Sequence, residues 1–155
     1  MDMEKQLIVV ILAGGNGKRM ESHKNTHAVL EEVGEVPMLA RIVNEAARLL
    51  PRKMIIVVNE NELKVRAEMR KHSIQYEIEY INQGPALGTG YALNCCKNRI
   101  KRYNNAQTLI IPGNMPLVTH KIMAEIVKKE GDVKIPYIKT DEAGDRDRLK
   151  IVKNK

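Results

Sequence analysis

Short apolar segments rich in β-branched residues alternate along this chain with longer stretches of helical period. The apolar segments are predicted to be strands, at Leu7 to Leu12, Met54 to Val58, Tyr76 to Ile81, Thr108 to Pro112 and Val133 to Ile138. Strands that alternate with helices are typical of βαβ units. The pattern therefore predicts an α/β fold with a mainly parallel central sheet.

Four helices are predicted between these strands. The first runs from about Pro37 to Leu50, where Pro51 ends it, and buries one face formed by Met38, Leu39, Ile42, Val43, Ala46 and Leu49. The second, Asn61 to Lys71, is more charged and is expected on the outside. The third runs from about Thr89 to Arg102. The fourth follows Thr119 as its N-cap, with inward-facing residues Ile122, Met123 and Ile126.

Composition narrows the function classes. The chain has 155 residues, which fits one domain, and carries a formal net charge of +7. It has five Tyr but no Phe or Trp, so stacking platforms for single-stranded nucleic acid are scarce. The densest basic run, Lys97 to Arg102, is interpreted as a solvated helix end rather than a phosphate-binding patch. A basic nucleic-acid-binding domain remains an alternative, and binding to generic duplex that weakens steeply with salt would reveal it.

The two cysteines and the N-terminus indicate a cytoplasmic location. Cys95 and Cys96 are adjacent, so they are poorly placed to join distant segments by disulfides, and a reducing compartment is expected. The N-terminus lacks a basic stretch before an apolar run, and Leu7 to Ala13 is too short to span a bilayer. No membrane partner is expected.

A glycine-rich turn follows the first predicted strand directly. Leu12 leads into Ala13-Gly14-Gly15-Asn16-Gly17-Lys18-Arg19-Met20, at the end of a strand where open α/β sheets bind ligands. Glycines bring backbone N–H groups close to phosphate oxygens, and Lys18 and Arg19 add positive charge. The spacing fits neither a Walker A loop nor a dinucleotide fingerprint, because the sixth residue is Arg19 from Gly14 and Met20 from Gly15. The turn predicts a triphosphate site.

Three blocks resemble the sugar-phosphate nucleotidyltransferases. Leu12 to Met20 is similar to the signature L-[AS]-[AG]-G-x-G-x-R-M, and Val29 to Leu39 resembles the V-L-x-x-x-x-G-K-P-M segment that follows it. The block QGPALGTGYA, residues 83–92, resembles the Q-x-x-x-L-G-T-G-H-A block of bacterial-type N-acetylglucosamine-1-phosphate uridylyltransferases, with Tyr91 in place of His. Residues 109–117 resemble a strand that ends in G-D-x-P-L.

The resemblance implies a fold, a reaction and a set of site residues. The fold is a three-layer, Rossmann-like nucleotidyltransferase fold that is truncated at its C-terminal side. The reaction transfers UMP from UTP to a sugar-1-phosphate, with N-acetylglucosamine-1-phosphate as the expected acceptor, and releases pyrophosphate. The implied nucleotide-binding residues are Leu12, Ala13, Gly14, Gly15, Gly17, Gln83, Gly88 and Thr89, the implied catalytic residues are Lys18 and Arg19, and Asn114 is the implied Mg²⁺ ligand.

Three departures from the family pattern concern the same chemistry. Asn114 stands where the family has a metal-binding Asp, and Ala28 stands at its Lys, for which Lys24 or His27 could substitute if the loop folds back. The family domain also continues beyond the length of this chain. Residues 1–120 are therefore expected to be a nucleotide-binding half and residues 121–155 the start of an incomplete sugar-binding half. An inactive or weakened nucleotide-binding module is the alternative to an active enzyme.

The remaining chemical candidates have simpler interpretations. His23 and His27 are four residues apart without a third zinc ligand, so they are interpreted as solvated loop histidines. Cys95 and Cys96 are interpreted as small helix residues rather than catalytic thiols. A hairpin arm is considered around Arg148 to Val152. An open sheet edge would allow pairing with a second copy of the chain, so a homo-oligomer stays open.

Overall fold

The computed structural model describes residues 6–15, 27–72 and 76–129, which form a sheet covered by helices on both faces. The strands are β1 (Leu7–Leu12), β2 (Lys53–Val58), β3 (Ile78–Asn82) and β4 (Gln107–Pro112). The helices are α1 (Met38–Ala47), α2 (Glu62–Lys71), α3 (Thr89–Ile100) and α4 (His120–Lys128), and a short 3₁₀-helix spans Ala28–Leu30. The predicted alternation of strands and helices is confirmed.

The four strands pair in parallel in the order β3-β2-β1-β4. Leu12 is level with Val57 of β2 on one side and with Pro112 of β4 on the other. The chain first adds β2 and β3 on one side of β1 and then crosses to add β4 on the opposite side. The strand order therefore reverses between β1 and β4, at the kind of point where open α/β sheets bind ligands beyond the carboxyl ends of their strands.

Two apolar clusters, one on each face of the sheet, form the core. β1 and β2 are buried on both faces, as their uninterrupted apolar sequences predict. One cluster joins the sheet to α1, α2 and α4 and includes Val9, Ile11, Ile42, Met54, Val65 and Met123. The other joins it to α3 and includes Ile8, Val10, Ile55, Val57, Ala92 and Cys96. This arrangement gives the three layers of a Rossmann-like fold.

Several predicted boundaries are wrong by a few residues. α1 ends at Ala47 rather than Leu50, because Leu49 and Leu50 donate to carbonyls three residues back and Leu50 has a φ of 51°. α3 ends at Ile100 rather than Arg102. Tyr76 is not part of β3, and its hydroxyl donates instead to the Pro51 carbonyl. The prediction that Ile122 faces inward is also wrong, since its side chain is 46% exposed while Met123 is fully buried.

Two further predictions concern residues that the structure does not describe. The strand at Val133 to Ile138 and the arm around Arg148 to Val152 both lie outside the described ranges. In the described ranges, none of the helices combines the length and apolarity needed to cross a bilayer.

Glu45 on α1 joins this helix to the start of α4. Its Oε2 accepts from the backbone N–H of His120 at 2.6 Å and lies 2.8 Å from His120 Nδ1. The backbone N–H of His120 and, with smaller effect, its ring hold the pKa of Glu45 below its ordinary value. The carboxylate therefore stabilises the first turn of α4 as well as the α1–α4 contact.

We expect Glu45→Ala to destabilise the protein by about 1–2 kcal/mol, because it removes both hydrogen bonds to His120. Since the pKa of Glu45 is lowered by folding, its stabilisation is present above a pH of about 4.5 and is lost as pH falls further. Urea unfolding at pH 7 and pH 3.5 measures this, and the difference between variant and wild type should shrink at the lower pH. Glu125→Ala, at an exposed site on α4, is the control. A Glu45→Ala protein as stable as the control at pH 7 would contradict the expectation.

Candidate functional site

The carboxyl ends of β1, β2 and β4 are joined by backbone hydrogen bonds just beyond the strands. The Ala13 N–H donates to the Val57 carbonyl at 2.8 Å, and the Gly113 N–H donates to the Leu12 carbonyl at 2.8 Å. These bonds hold the start of the glycine-rich turn between the ends of the neighbouring strands. The turn that the sequence singles out thus leaves the sheet at the point where the strand order reverses.

Gly14 and Gln83 are in direct contact across this edge. Gln83 follows β3, is 6% exposed, and donates from Nε2 to the Gly14 carbonyl at 2.7 Å. A Cβ on Gly14 would lie 2.4 Å from Gln83 Nε2 and 3.2 Å from the carbonyl carbon of Val58. A side chain at position 14 would therefore collide with Gln83, and only glycine allows this approach. Two blocks that are 69 residues apart in sequence meet here.

The other half of the Gln83 amide is oriented by this contact. Because Nε2 donates to Gly14, the carbonyl oxygen Oε1 points elsewhere, and it is buried without a partner among the residues that the structure describes. A buried acceptor that remains unsatisfied costs about 1–3 kcal/mol. Such an atom is expected to gain a donor when the site is filled.

Asn59 is a buried part of the site that the sequence analysis missed. It follows β2 directly, is 3% exposed, and donates from Nδ2 to the Gly14 carbonyl at 3.3 Å. The Gly14 carbonyl therefore accepts hydrogen bonds from the side-chain amides of both Asn59 and Gln83. The sequence shows only that an asparagine follows a continuous apolar strand directly. That its side chain reaches Gly14 depends on the order of the strands in the sheet.

His27 is not the solvated loop histidine that the sequence suggested. Its ring is half-buried, and Nδ1 lies 2.6 Å from Nδ2 of Asn61. Burial, followed by the charge of Lys64, lowers the pKa of His27. The ring is therefore neutral at pH 7 and does not supply the positive charge that the family's lysine would bring. Among the described residues, no group of three His, Cys, Asp or Glu side chains could hold a metal ion.

Gly88 and Thr89 lie at the start of α3, which follows the Gln83 block. Gly88 has a φ of 106°, a backbone conformation that favours glycine, and open space surrounds the position that its Cβ would take. Both residues are exposed. A ligand beyond the ends of β1 and β3 would therefore have access to them.

Asn114 lies in the turn after β4 and is exposed. Gly113 before it allows the close approach to β1, because a Cβ there would lie 2.8 Å from the Leu12 carbonyl oxygen. An amide oxygen can coordinate a cation but brings no charge, whereas Mg²⁺ in proteins is usually held by carboxylates. The described residues thus do not fit a site in which the protein itself holds Mg²⁺ tightly.

The comparisons with known proteins agree with this arrangement of motifs. The family model described as a MobA-like NTP transferase domain matches residues 9–144. The chain belongs to this family. It is 30% identical over 125 residues to a probable UDP-N-acetylglucosamine pyrophosphorylase of Acanthamoeba polyphaga mimivirus, covering 81% of this chain and 48% of that protein. It is 35% identical over 111 residues to the bifunctional protein GlmU of Chromobacterium violaceum, covering 72% of this chain and 23% of that protein.

The solved structures support the fold of the NTP transferase family. The protein Rv0371c of Mycobacterium tuberculosis H37Rv superimposes with a TM-score of 0.63 at 18% identity, over 79% of this chain and 59% of that one. This chain spans about half the length of the mimivirus protein and less of the GlmU protein. The predicted fold class and the suspected family are both confirmed.

The other predicted site residues divide into those that the structure describes and those that it does not. Ala28, at the family's lysine position, begins the short 3₁₀-helix, and the next residue, Val29, is buried against Gly113. Gly17, Lys18, Arg19, His23 and Lys24 lie outside the described ranges. Their roles in this NTP transferase domain stay predictions.

The cysteines are helix residues, as the sequence predicted. Cys95 and Cys96 lie in α3, and both thiols are free. Cys96 packs against β1 and β2, and burial raises the pKa of its thiol to about 11. A thiol with this pKa is protonated at neutral pH and is a weak nucleophile. Cys96 therefore stabilises the domain by packing.

We expect Gly14→Ala to destabilise the domain by about 1–3 kcal/mol, because the added methyl collides with Gln83 and the backbone of Val58. Gly15→Ala is the matched control, since nothing lies within 4 Å of the position that its Cβ would take. Thermal unfolding of both variants measures the difference. Equal melting temperatures for the two variants would show that the contact between Gly14 and Gln83 is not a constraint on the fold.

Proposed function

We propose that this domain binds UTP and takes part in nucleotidyl transfer to a sugar-1-phosphate. An oxygen of the sugar phosphate attacks the α-phosphorus of UTP, and the bond to the β-phosphate breaks. The products are a UDP-sugar and pyrophosphate. Similarity to a probable UDP-N-acetylglucosamine pyrophosphorylase supports N-acetylglucosamine-1-phosphate as the acceptor.

The buried Oε1 of Gln83 is the observation on which the choice of base rests. This oxygen only accepts hydrogen bonds, and its orientation is set by the bond from Nε2 to Gly14. Uracil presents an N–H at position 3, which would satisfy it. Cytosine presents a bare acceptor at the same position, so the oxygen would stay unsatisfied. The polarity of this amide therefore favours uracil over cytosine.

The proposed chemistry requires positioning and positive charge rather than a covalent enzyme intermediate. The turn from Leu12 to Gly15 would place backbone N–H groups near the phosphates, at the reversal point between β1 and β4. Lys18 and Arg19 would neutralise the charge that develops on the departing pyrophosphate. Residues 1–120 would supply the nucleotide half of the site, and residues 121–155 would begin the sugar-binding half.

A weakened nucleotide-binding module is the second candidate. Asn114 and Ala28 favour it, because an aspartate and a lysine at these positions would each bring a charge that this chain lacks. His27 does not replace the lysine, since burial and Lys64 lower the pKa of its ring. The described residues also do not fit a tightly held Mg²⁺.

We expect UTP to stabilise the domain and CTP to do so less. At a concentration of 100 times its dissociation constant, UTP should stabilise the fold by about 2.7 kcal/mol, or roughly 5–10 °C in melting temperature. CTP should bind at least about tenfold more weakly because it leaves Gln83 Oε1 without a donor. Thermal shift and calorimetry measure both values. No shift with millimolar UTP would overturn both candidate functions, and equal affinity for CTP would overturn the role of Gln83.

Pyrophosphate release separates the two candidates. A folded sample that binds UTP is mixed with N-acetylglucosamine-1-phosphate and Mg²⁺, and released pyrophosphate is measured against a protein-free blank. Release above the blank supports the transferase. Binding without release supports the weakened module.

We expect Asn114→Asp to raise turnover at least about tenfold if the missing charge at this position limits the reaction, because a carboxylate attracts Mg²⁺ far more strongly than an amide does. Asn98→Asp, an exposed position near the end of α3, introduces the same charge away from the site as a control. Turnover is measured as pyrophosphate release at several Mg²⁺ concentrations. An Asn114→Asp protein no faster than the control would locate the defect elsewhere, at Ala28 or in the acceptor half.

A further inference from the structure

The turn between β2 and α2, residues 59–61, contacts two separate points of the polypeptide. Asn59 donates from Nδ2 to the Gly14 carbonyl, and its Oδ1 accepts from the Asn61 N–H at 3.1 Å. Asn61 in turn contacts His27 through its own side chain. Gly14 and His27 stand on either side of residues 16–26, so the 59–61 turn is bonded to the chain both before and after that segment.

The contact of Asn61 with His27 is made instead of an ordinary helix cap. Asn61 occupies the N-cap position of α2, where an asparagine side chain usually accepts from the backbone N–H of the second or third helical residue. Its side chain makes no such bond here. An N-cap bond contributes about 1 kcal/mol, so the side chain forgoes a common stabilising interaction to reach His27. A local rule broken in this way points to a role outside the helix itself.

The hydrogen bond between Asn61 and His27 requires a neutral His27 ring. The Asn61 amide nitrogen donates to Nδ1, which is possible only when Nδ1 carries no proton. Burial and Lys64 of α2 lower the pKa of His27, against the opposing charge of Glu60 in the same turn. The bond is therefore present at pH 7, and it is lost when the ring is protonated at acidic pH.

We infer that Asn59 and Asn61 are positioning residues: Asn59 holds the glycine-rich turn at Gly14, and Asn61 holds the chain at His27, on the other side of residues 16–26. This inference rests on the proposed function, because these contacts would fix backbone N–H groups where a nucleoside triphosphate would bind. The Gly14 carbonyl is bonded from two sides, by Asn59 and by Gln83. With the carbonyl fixed, the orientation of the following peptide N–H is also fixed, so a triphosphate finds donors already oriented.

The experiment compares UTP affinity in wild type, Asn61→Ala, His27→Ala and the double variant. Each single change should weaken UTP binding about 3- to 10-fold at pH 7, and the double variant should be no weaker than the singles, because all three lack the same bond. Asn44→Ala, exposed on α1, is the control and should bind as wild type does. Single variants that fold and bind UTP with wild-type affinity would overturn the inference.

Asn61→Asp provides a readout that a merely structural role would not change. A carboxylate at position 61 accepts from the protonated ring, so this variant should bind UTP better relative to wild type as pH falls from 7.5 to 5.5. Comparing the variants at each pH removes the titration of the nucleotide itself. A pH profile of Asn61→Asp parallel to that of wild type would contradict the role of the His27 contact.

A measurement without ligand distinguishes failure of this inference from failure of the proposed function. Amide hydrogen exchange at Gly15 should be at least about threefold faster in Asn59→Ala than in wild type and in Asn44→Ala, because Asn59 holds the Gly14 carbonyl of the same peptide group. Faster exchange together with no UTP binding by wild type would leave the positioning role standing and overturn the nucleotide assignment. Unchanged exchange at Gly15 would overturn the positioning role whether or not UTP binds.

Discussion

The close approach of Gly14 to Gln83 is the contact on which the site depends. The two residues come from different strand ends, β1 and β3, with β2 between them. They can meet only because position 14 has no Cβ and because Gln83 reaches across the end of β2. The contact orients the amide of Gln83 so that its buried Oε1 has no partner among the described residues, and it fixes the Gly14 carbonyl. The contact between Gly14 and Gln83 thus sets both the backbone shape of the turn and the orientation of the hydrogen-bonding groups at this edge of the sheet.

Binding and catalysis make different demands on this site, and the chain meets them unequally. Binding a triphosphate needs backbone N–H groups and positive charge, and the glycine-rich turn with Lys18 and Arg19 is the motif that predicts both. The proposed transfer would also need charge at the positions of Asn114 and Ala28, and neither side chain carries any. The neutral His27 does not replace that charge, because its ring is half-buried and accepts a bond from Asn61. These positions favour the weakened nucleotide-binding module that we propose as the second candidate.

The asparagines after β2 contact the site from outside the motifs that resemble the family. The glycine-rich turn and the Gln83 block are the parts that resemble other members of the family. Asn59 and Asn61 lie outside those motifs, yet they contact the turn and the residue that precedes Ala28. Buried amides of this kind contribute direction more than net stability, because each bond replaces one with water.

The sequence by itself determined the fold class, because four of its apolar runs are long enough to be buried strands and the stretches between them have helical period. It also determined the family, through blocks at Gly14, Gln83 and Gly113. Helix ends were less predictable. Pro51 predicted an end at Leu50, but α1 ends at Ala47 and the chain continues to Leu50 in turns. Only the tertiary structure decided the order β3-β2-β1-β4 and the contacts of Asn59, Asn61 and His27. These contacts join residues 34 and 45 positions apart, and a periodic pattern reports which face of an element is apolar but not which distant polar group meets it.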